Sequence, residues 1–559
     1  MTQTHEVTNQ STPFVDVNLF ATDRALRDAL RFHHPGFDSR RFEMLGVEVG
    51  SARMQAHARF ANAHPPRLRT HDHHGRRLDL VEFDAGYHML LTSALRNRLH
   101  AAPWSEGPGA HIERAAAFIL FTQLEPSVLC PVSMSYAVTP ALRANAAIHA
   151  EWAPKLAAPN YDGRYLPFSR KTAVTMGMGM TEKQGGSDVR ANTTRAVPDG
   201  EDGWGRRYRL CGHKWFLSAP MCDAFMMLAQ TEVGPTCFFV PRLLPDGTIN
   251  PIRIQRLKDK LGNHANASSE VEFTDIAGWL VGEEGRGIAQ ILEMGTITRL
   301  DCALGTAGLM RHALTLALHH CAQRSAFGLP LIEQPAMKNV LADLAIESAA
   351  ATALAMRLAR AVDRVENSQD PDGHEALMRR VLTPVAKFWI CKRGSLFAQE
   401  TMECLGGNGY VEAEGEGTMA RIYREMPLNS IWEGAGNIMA IDLVRALRSG
   451  PVAEALAHEL APVRGADPLL DAATEKLLMR IREQPDEGQA RQLARDVALV
   501  VQAALLRRHS NDAGFIAFCR SRLGGGTDVF GSLPAGCDTE AIVARARPQP
   551  DPFRVEWTI

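Results

Sequence analysis

The spacing of apolar residues along this chain changes twice, and those two changes constrain its fold more than any other feature. From residue 37 to 170 the apolar positions recur with a helical period, as in Leu78 to Leu99, Ala110 to Leu124 and Ala141 to Trp152. Near 171 the pattern shortens to runs such as Arg207 to Cys211, Ala224 to Ala229 and Thr236 to Val240. These carry aromatic or β-branched residues and are bounded by Gly, Pro and Asp, so 171–286 reads as a β domain. After Gly287 long helical patterns return, over about 288–324, 335–365, 375–405 and 433–448. Pro335 sits where a first-turn proline is tolerated, and Met337, Val340, Leu341, Leu344 and Ala345 form a buried face behind it.

The ends differ from the middle. Residues 1–36, closing on His33-His34-Pro35-Gly36, read as a polar, irregular arm. Residues 449–559, entered through Gly450-Pro451, read as a last block of mixed helix and glycine-rich loop, Gly524 to Gly526. The 559 residues exceed what one core serves. The expected class is α+β, mainly α: arm, helical domain (37–170), β domain (171–286), helical bundle (287–448) and a further helical domain (449–559).

Composition removes several function classes. A net charge of −2 gives no global pull toward nucleic acid or membrane. Ten cysteines without a C-x-x-C pair argue against a disulfide framework or zinc site and for a reducing cytoplasm. The N-terminus has neither the basic flank nor the apolar core of a signal peptide. The longest uncharged run, Pro126 to Leu142, holds three prolines and is too short to span a bilayer. His71-Asp-His-His74 lacks ligand spacing and reads as exposed loop, so no metal is expected. Gly415-Glu-Gly-Thr-Met-Ala420 follows no strand and is no dinucleotide fingerprint.

Two stretches carry chemistry. Met180-Thr-Glu-Lys-Gln-Gly-Gly-Ser-Asp188 packs hydroxyls and glycines into a tight turn, suited to the donors that a flat heterocycle or pyrophosphate needs. Gly212-His-Lys-Trp-Phe-Leu-Ser218 reads as a second turn, with Trp215 or Phe216 placed to pack on a ring and Ser218 to bond its edge. Ile431-Trp-Glu-Gly-Ala-Gly-Asn437 sets Glu433 behind an indole at the mouth of a helix. A carboxylate shielded there should have a raised pKa, useful to a base near neutrality, and Asn437 should share its face at i, i+4.

These stretches, with Arg324-Ser-Ala-Phe-Gly328, Gln334 and Leu405-Gly-Gly-Asn-Gly-Tyr410, resemble the acyl-CoA dehydrogenase family over about residues 50–448. The further likeness of 177–188, 421–434 and the C-terminal block is to an alkylation-response flavoprotein branch of that family. The resemblance implies FAD held by Met178, Gly179, Met180, Thr181, Gly185, Gly186, Ser187, Phe216, Leu217 and Ser218. It adds Arg324, Gly406, Gly407, Asn408 and Gly409 at the adenosine diphosphate half, from a neighbouring subunit, and, as further cofactor contacts, Phe327, Gln334, Ile431, Trp432, Gly434, Gly436 and Asn437. It implies Glu433 as catalytic base toward an acyl-CoA, and a homotetramer. Met176, Met178, Met180, Met426 and Trp432 crowd these motifs where the family has small residues, an expectation that long acyl chains are excluded.

The branch also implies double-stranded DNA binding by the C-terminal domain, with Arg445, Arg448, Arg507, Arg508, Arg520 and Arg522 as candidates. Composition alone does not: 449–559 carries 13 basic against 15 acidic residues. A metabolic acyl-CoA dehydrogenase or oxidase without a DNA role, and a protein using FAD only as a structural staple, remain the competing expectations.

Overall fold

The computed structural model describes residues 4–415, 417–484, 486–525 and 528–548. The chain folds into two compact units: one of residues 56–110 and 125–301, the other of 1–55, 111–124 and 302–559.

The first unit is built on a seven-stranded sheet. Its strands are β3 (Met176–Gly179), β4 (Arg195–Asp202), β5 (Gly205–Ser218), β6 (Ala224–Thr231), β7 (Gly234–Pro241), β8 (Arg253–Leu257) and β9 (Ser268–Leu280), preceded by a separate hairpin of β1 (Arg67–His71) and β2 (Arg77–Glu82). The order is β3-β6-β4-β5-β9-β7, with β8 on β9, and a β6–β7 pairing joins the sheet back on itself. Tyr208, Leu210, Phe225, Phe238 and Phe273 pack inside it. The strands are apolar on both faces where they are central, as Ala224 to Ala229 shows: all six are buried. Trp152, Phe168, Trp204, Phe239 and Trp279 form an aromatic cluster with centroid separations of 4.8 to 6.5 Å, Trp152 stacked on Phe168 and edge-to-face with Trp204 and Phe239.

The second unit is helical. Pro335–Glu366 packs on His374–Cys404, on Ala490–His509 and on Arg24–His33; Gly436–Leu447 packs on His374–Cys404 and on Ala490–His509. Pro335 is the first helical residue, as its missing N–H allows. Thr306, in the helix Gly287–Gln323, donates to Cys391 Sγ at 3.3 Å and so joins that helix to His374–Cys404.

Several expectations are corrected. The irregular arm contains two helices, Leu19–Thr22 and Arg24–His33. Asn18 and Asp23 cap them, accepting from Phe20 N and Leu26 N at 3.0 Å, and Leu26, Ala29, Leu30 and His33 are buried at helical spacing. Leu78 to Glu82 is strand, and the helix starts only at Ala85, behind its Asp84 cap. Ala141 to Trp152 is broken at Asn145, whose side chain caps a new helix through Ile148 N. The glycine-rich 524–526 loop ends in Gly526, outside the described residues, as are 1–3 and 549–559. The C-terminal block belongs to the same compact unit as the helical bundle.

His71 to His74 forms the exposed tip of the β1–β2 hairpin, where Asp72 accepts from His74 N and Arg76 N at 2.8 and 2.9 Å.

Buried histidines set an acid limit on the helical unit. Burial, then the cations Arg421 and Arg311, push His312 down to about 4; burial and Arg508 do the same to His509. Such a group stays neutral when folded but takes a proton below its ordinary 6.5 when unfolded. Stability is therefore present above 6.5 and is lost as pH falls from there toward 4, by up to about 1.4 kcal/mol per pH unit for each histidine. Urea unfolding between about pH 7 and pH 5 should show this slope, and His509→Asn should flatten it.

Candidate active site

Strand β3 ends at Gly179, and the loop after it folds back so that Glu182 N donates to Gly185 O at 2.9 Å. This loop and the end of β5 are held as one piece. Trp215 N donates to Thr181 O at 2.8 Å, and Lys183 N to His213 Nε2 at 3.1 Å. Between them lies an ion pair, Lys214 Nζ to Glu182 Oε1 at 2.7 Å, with both side chains 0% exposed. Lys214 also donates to Leu228 O at 2.7 Å, and Glu182 accepts from Thr193 N at 2.6 Å and Thr194 N at 3.3 Å. Burial works to raise the Glu182 carboxyl, but Lys214 and these donors outweigh it and hold it down to about 2.

Residues 212–218 are therefore strand, not the turn that their Gly-to-Ser pattern suggests. A Cβ on Gly212 would run into Thr194, which explains the glycine. Lys214 pairs with Val271 and Leu217 with Ser269, leaving one extra residue on β5. The bulge sends Trp215 and Phe216 to the same side, where Lys258 Nζ lies 3.2 and 4.6 Å from their ring centroids. Leu217 points back into the core. Ser218 Oγ lies 3.3 Å from Ser268 Oγ.

The surface left by this arrangement suits a planar ring with polar edges. Phe216 is 47% exposed, Thr181 is half-buried, Gly186 and Ser187 are exposed. Met178 and Gly179 are buried in β3, Gly185 is buried in the loop, and Met180 is half-buried.

In the helical unit, Glu433 precedes its helix rather than starting it. The helix begins at Gly436, so Asn437 does not share a helical face with Glu433; it accepts from Arg491 Nη1 at 3.2 Å. Glu433 has φ +60° and Gly434 φ +106°, a left-handed turn that a non-glycine residue adopts only where its surroundings enforce it. The buried Lys387 donates to Gly434 O at 2.5 Å. Trp432 Nε1 donates to Asn429 Oδ1 at 2.9 Å, and Asn429 Nδ2 to Thr306 Oγ1 at 3.1 Å. A Cβ on Gly436 would sit 3.0 Å from Lys392 Cε. Ile431 is exposed and Glu433 half-buried, less shielded than the sequence suggests.

The AidB N-terminal domain family matches residues 9–163, the acyl-CoA dehydrogenase middle domain 177–276, and its C-terminal domain 285–448. AidB of Escherichia coli (strain K12) is 46% identical over 527 residues, 93% of this chain and 95% of that protein. The chain belongs to the acyl-CoA dehydrogenase family, in its AidB-like branch. Among solved structures, the apo form of Bd2924 matches with TM-score 0.82 at 28% identity, over 90% of this chain and 99% of that one. Caenorhabditis elegans ACDH-11, solved with C11-CoA, shares the fold with TM-score 0.81 at 24% identity, over 98% and 94%. Members of this family use FAD.

The AidB-like chain brings Arg324 and the Gly406–Gly409 turn under one segment that sequence reasoning missed. Arg324 Nη1 donates to Asn9 O at 2.5 Å, Ser325 N to Asn9 Oδ1 at 2.8 Å, and Asn408 Nδ2 to Gln10 Oε1 at 3.2 Å. Residues 9–12 are polar and aperiodic, so no pattern marked them as a strap. Gln334 Nε2 donates to Ala326 O at 2.9 Å, closing a tight turn whose tip, Phe327, is fully exposed at φ +53°. Gly406, Gly407 and Asn408 are exposed and Gly409 is buried.

Arg522 is a correction among the DNA candidates. It is buried, 2.5 Å from Asp343 and 3.0 Å from Glu347, and its charge is engaged inside the protein. Arg508 is half-buried, 3.5 Å from Glu459. Arg445, Arg448, Arg507 and Arg520 are exposed. Met176, Met178 and Met426 are buried, Met426 with its sulfur against Gly394 in the helical core.

Lys214→Met should destabilise the sheet unit by about 3–5 kcal/mol, because it leaves Glu182 buried without its counter-ion. Adding Glu182→Gln should restore part of the loss. Urea unfolding followed by tryptophan fluorescence measures both.

Proposed function

We propose that this chain is an FAD flavoprotein of the DNA alkylation response that takes the α-proton of an acyl-CoA thioester and binds duplex DNA without sequence preference. The observation carrying the catalytic part is the left-handed turn at Glu433, held by Lys387 and followed by two glycines. A strained carboxylate at a position matching the family's base is a functional geometry, not a helix cap. Glu433 accepts the α-proton on a carboxylate oxygen. FAD, when bound, supplies the acceptor for the hydride leaving the β-carbon, so the product is an α,β-unsaturated thioester. Thr181, Ser187 and Ser218 would hold its polar edges and Phe216 its face. Arg324 and the Gly406–Asn408 turn would serve the adenosine diphosphate half in a homotetramer, once the strap at residues 9–12 yields its contacts. The solved complex of ACDH-11 with C11-CoA supports an acyl-CoA as ligand.

Support for the DNA part is the near full-length likeness to AidB and the exposed guanidinium groups of Arg445 and Arg448 at the end of one helix. Phosphate contacts from a few arginines give weak, salt-dependent binding. A cytoplasmic location belongs to the same reading.

Two measurements test it. Anaerobic bleaching of bound flavin by a short acyl-CoA should slow about 10²- to 10⁴-fold in Glu433→Gln. Gel-shift titrations of a duplex at several salt concentrations should show a steep salt dependence, with the slope falling by about 1 for Arg445→Ala. Fast turnover with no salt-sensitive duplex binding would instead support a metabolic acyl-CoA dehydrogenase or oxidase.

A further inference from the structure

The sheet unit holds a cavity of about 230 Å³, walled in part by Leu217, the residue after Trp215 and Phe216 on β5. Leu217, Phe225, Ile252 and Ile254 form its apolar walls, and all four are buried. Its mouth is marked by Ile249, 56% exposed, and by the exposed Arg253.

One charge in this cavity has no counter-ion in contact. Arg242 lies with its guanidinium carbon 4.3 Å from the Tyr165 ring centroid and donates through Nη1 to Met221 Sδ at 2.9 Å, a weak acceptor. Its Nε is buried and makes no hydrogen bond, and among the described residues no carboxylate pairs with it. The neighbouring Asp223 is already closed by Lys171 at 2.5 Å and by Thr175 N at 2.9 Å. Arg77, a second cation of the wall, is closed by Asp79 at 2.7 and 3.0 Å and by Ile254 O at 2.9 Å. Burial pulls the Arg242 charge toward loss, against the attraction of Asp223, whose carboxylate is shared with Lys171. An arginine keeps its proton in proteins, so the charge persists and calls for an anion.

We propose that this cavity is a binding site for a small aliphatic monocarboxylate, its carboxylate on the Arg242 fork and its alkyl chain against Leu217, Phe225 and Ile252. The chemistry follows from the inventory. Arg253 lies in solvent at the mouth and Arg77 is closed by Asp79, so inside the cavity one cation without a carboxylate partner matches one negative charge; its planar fork matches a carboxylate, and Leu217, Phe225, Ile252 and Ile254 offer hydrocarbon beside it. The volume admits a chain of a few carbons. Arg253 at the mouth favours entry of an anion.

Glu433 is not among the residues that line this cavity, and the test does not depend on turnover. Calorimetric titration and thermal shift of the FAD-loaded full chain would use hexanoate as probe, with hexylamine and hexan-1-ol as controls of equal chain length. Hexanoate should bind saturably, in about the millimolar range or tighter, while hexylamine does not bind and hexan-1-ol binds more weakly. Arg242→Met should weaken hexanoate binding by about 10- to 100-fold, the loss of a charge-assisted contact. Ile249→Trp, at the exposed mouth, should block entry without touching the buried charge, which covers the case in which Arg242→Met fails to fold. Binding should survive Glu433→Gln. No saturable hexanoate binding, equal binding of hexan-1-ol, or hexanoate binding unchanged by Ile249→Trp would overturn the proposal.

Discussion

Taking a carboxylate and an ammonium wholly out of water costs several kcal/mol per ion, and that cost is offset only when every remaining lone pair and proton is also satisfied. Glu182 and Lys214 meet this condition. Lys214 reaches both Glu182 and the Leu228 carbonyl, and Glu182 gathers the amides of Thr193 and Thr194 as well. The pair thereby ties four separate pieces, the loop after β3, the end of β5, the residues leading into β4 and strand β6, to one point. The consequence is positional. Thr181 and Ser187 on one side, and Trp215 to Ser218 on the other, cannot drift apart without exposing or orphaning a buried charge. The β-bulge next to Lys214 then decides which side chains face outward, and Lys258 packs on both rings that it turns out.

The helical unit uses the same device to fasten its ends. Arg522 inserts from the C-terminal block between Asp343 and Glu347, and Arg393 reaches the same Glu347 at 3.0 Å. Arg357, 1% exposed, is clasped by Glu375 and Glu459 at 2.6 and 2.8 Å. Arg311 pairs with Asp23 near the N-terminus. The helix Pro335–Glu366 is long and apolar enough by composition to cross a membrane. Its buried Asp343, Glu347 and Arg357 are each ion-paired within this unit, which is the behaviour of a core helix, and the helix Arg24–His33 and the Arg522 segment are fastened against it. The arginines of the C-terminal block therefore divide into buried ones that hold it in place, such as Arg522, and exposed ones such as Arg507 and Arg520.

How much of this was legible depends on the range of the interaction. The long helices of the bundle and strands β6 and β7 are legible to within two or three residues, and β5 only over Arg207 to Cys211, because local periodicity records burial. The two helices at Leu19–Thr22 and Arg24–His33 were missed although Asn18 and Asp23 are ordinary caps, since so short a pattern is easily read as polar irregularity. Reading 212–218 as a turn trusted the glycine; that glycine instead reflects a close approach of Thr194, a contact made by a neighbouring strand. The motif residues of the candidate site were visible as motifs. The Glu182–Lys214 pair, the Asn9–Thr12 strap and the unpaired Arg242 were not, because each depends on residues far apart in sequence and on which of many charges loses water.

The turn at Glu433 shows why that distinction matters for chemistry. A carboxylate placed on a helix takes its direction from the helix axis and shares it with residues three and four positions away. Glu433 takes its direction from a left-handed backbone, which costs about 1–3 kcal/mol and persists only if the neighbours enforce it. Lys387 does so by holding the Gly434 carbonyl, and the Trp432–Asn429–Thr306 chain does so from the other side. Both anchors come from helices that precede the turn in sequence, Gly287–Gln323 and His374–Cys404, or from the loop between. The carboxylate is thus referenced to the bundle core and not to the helix it introduces. A carboxylate so placed is positioned independently of the surface of its own helix, where Asn437 and Arg445 lie.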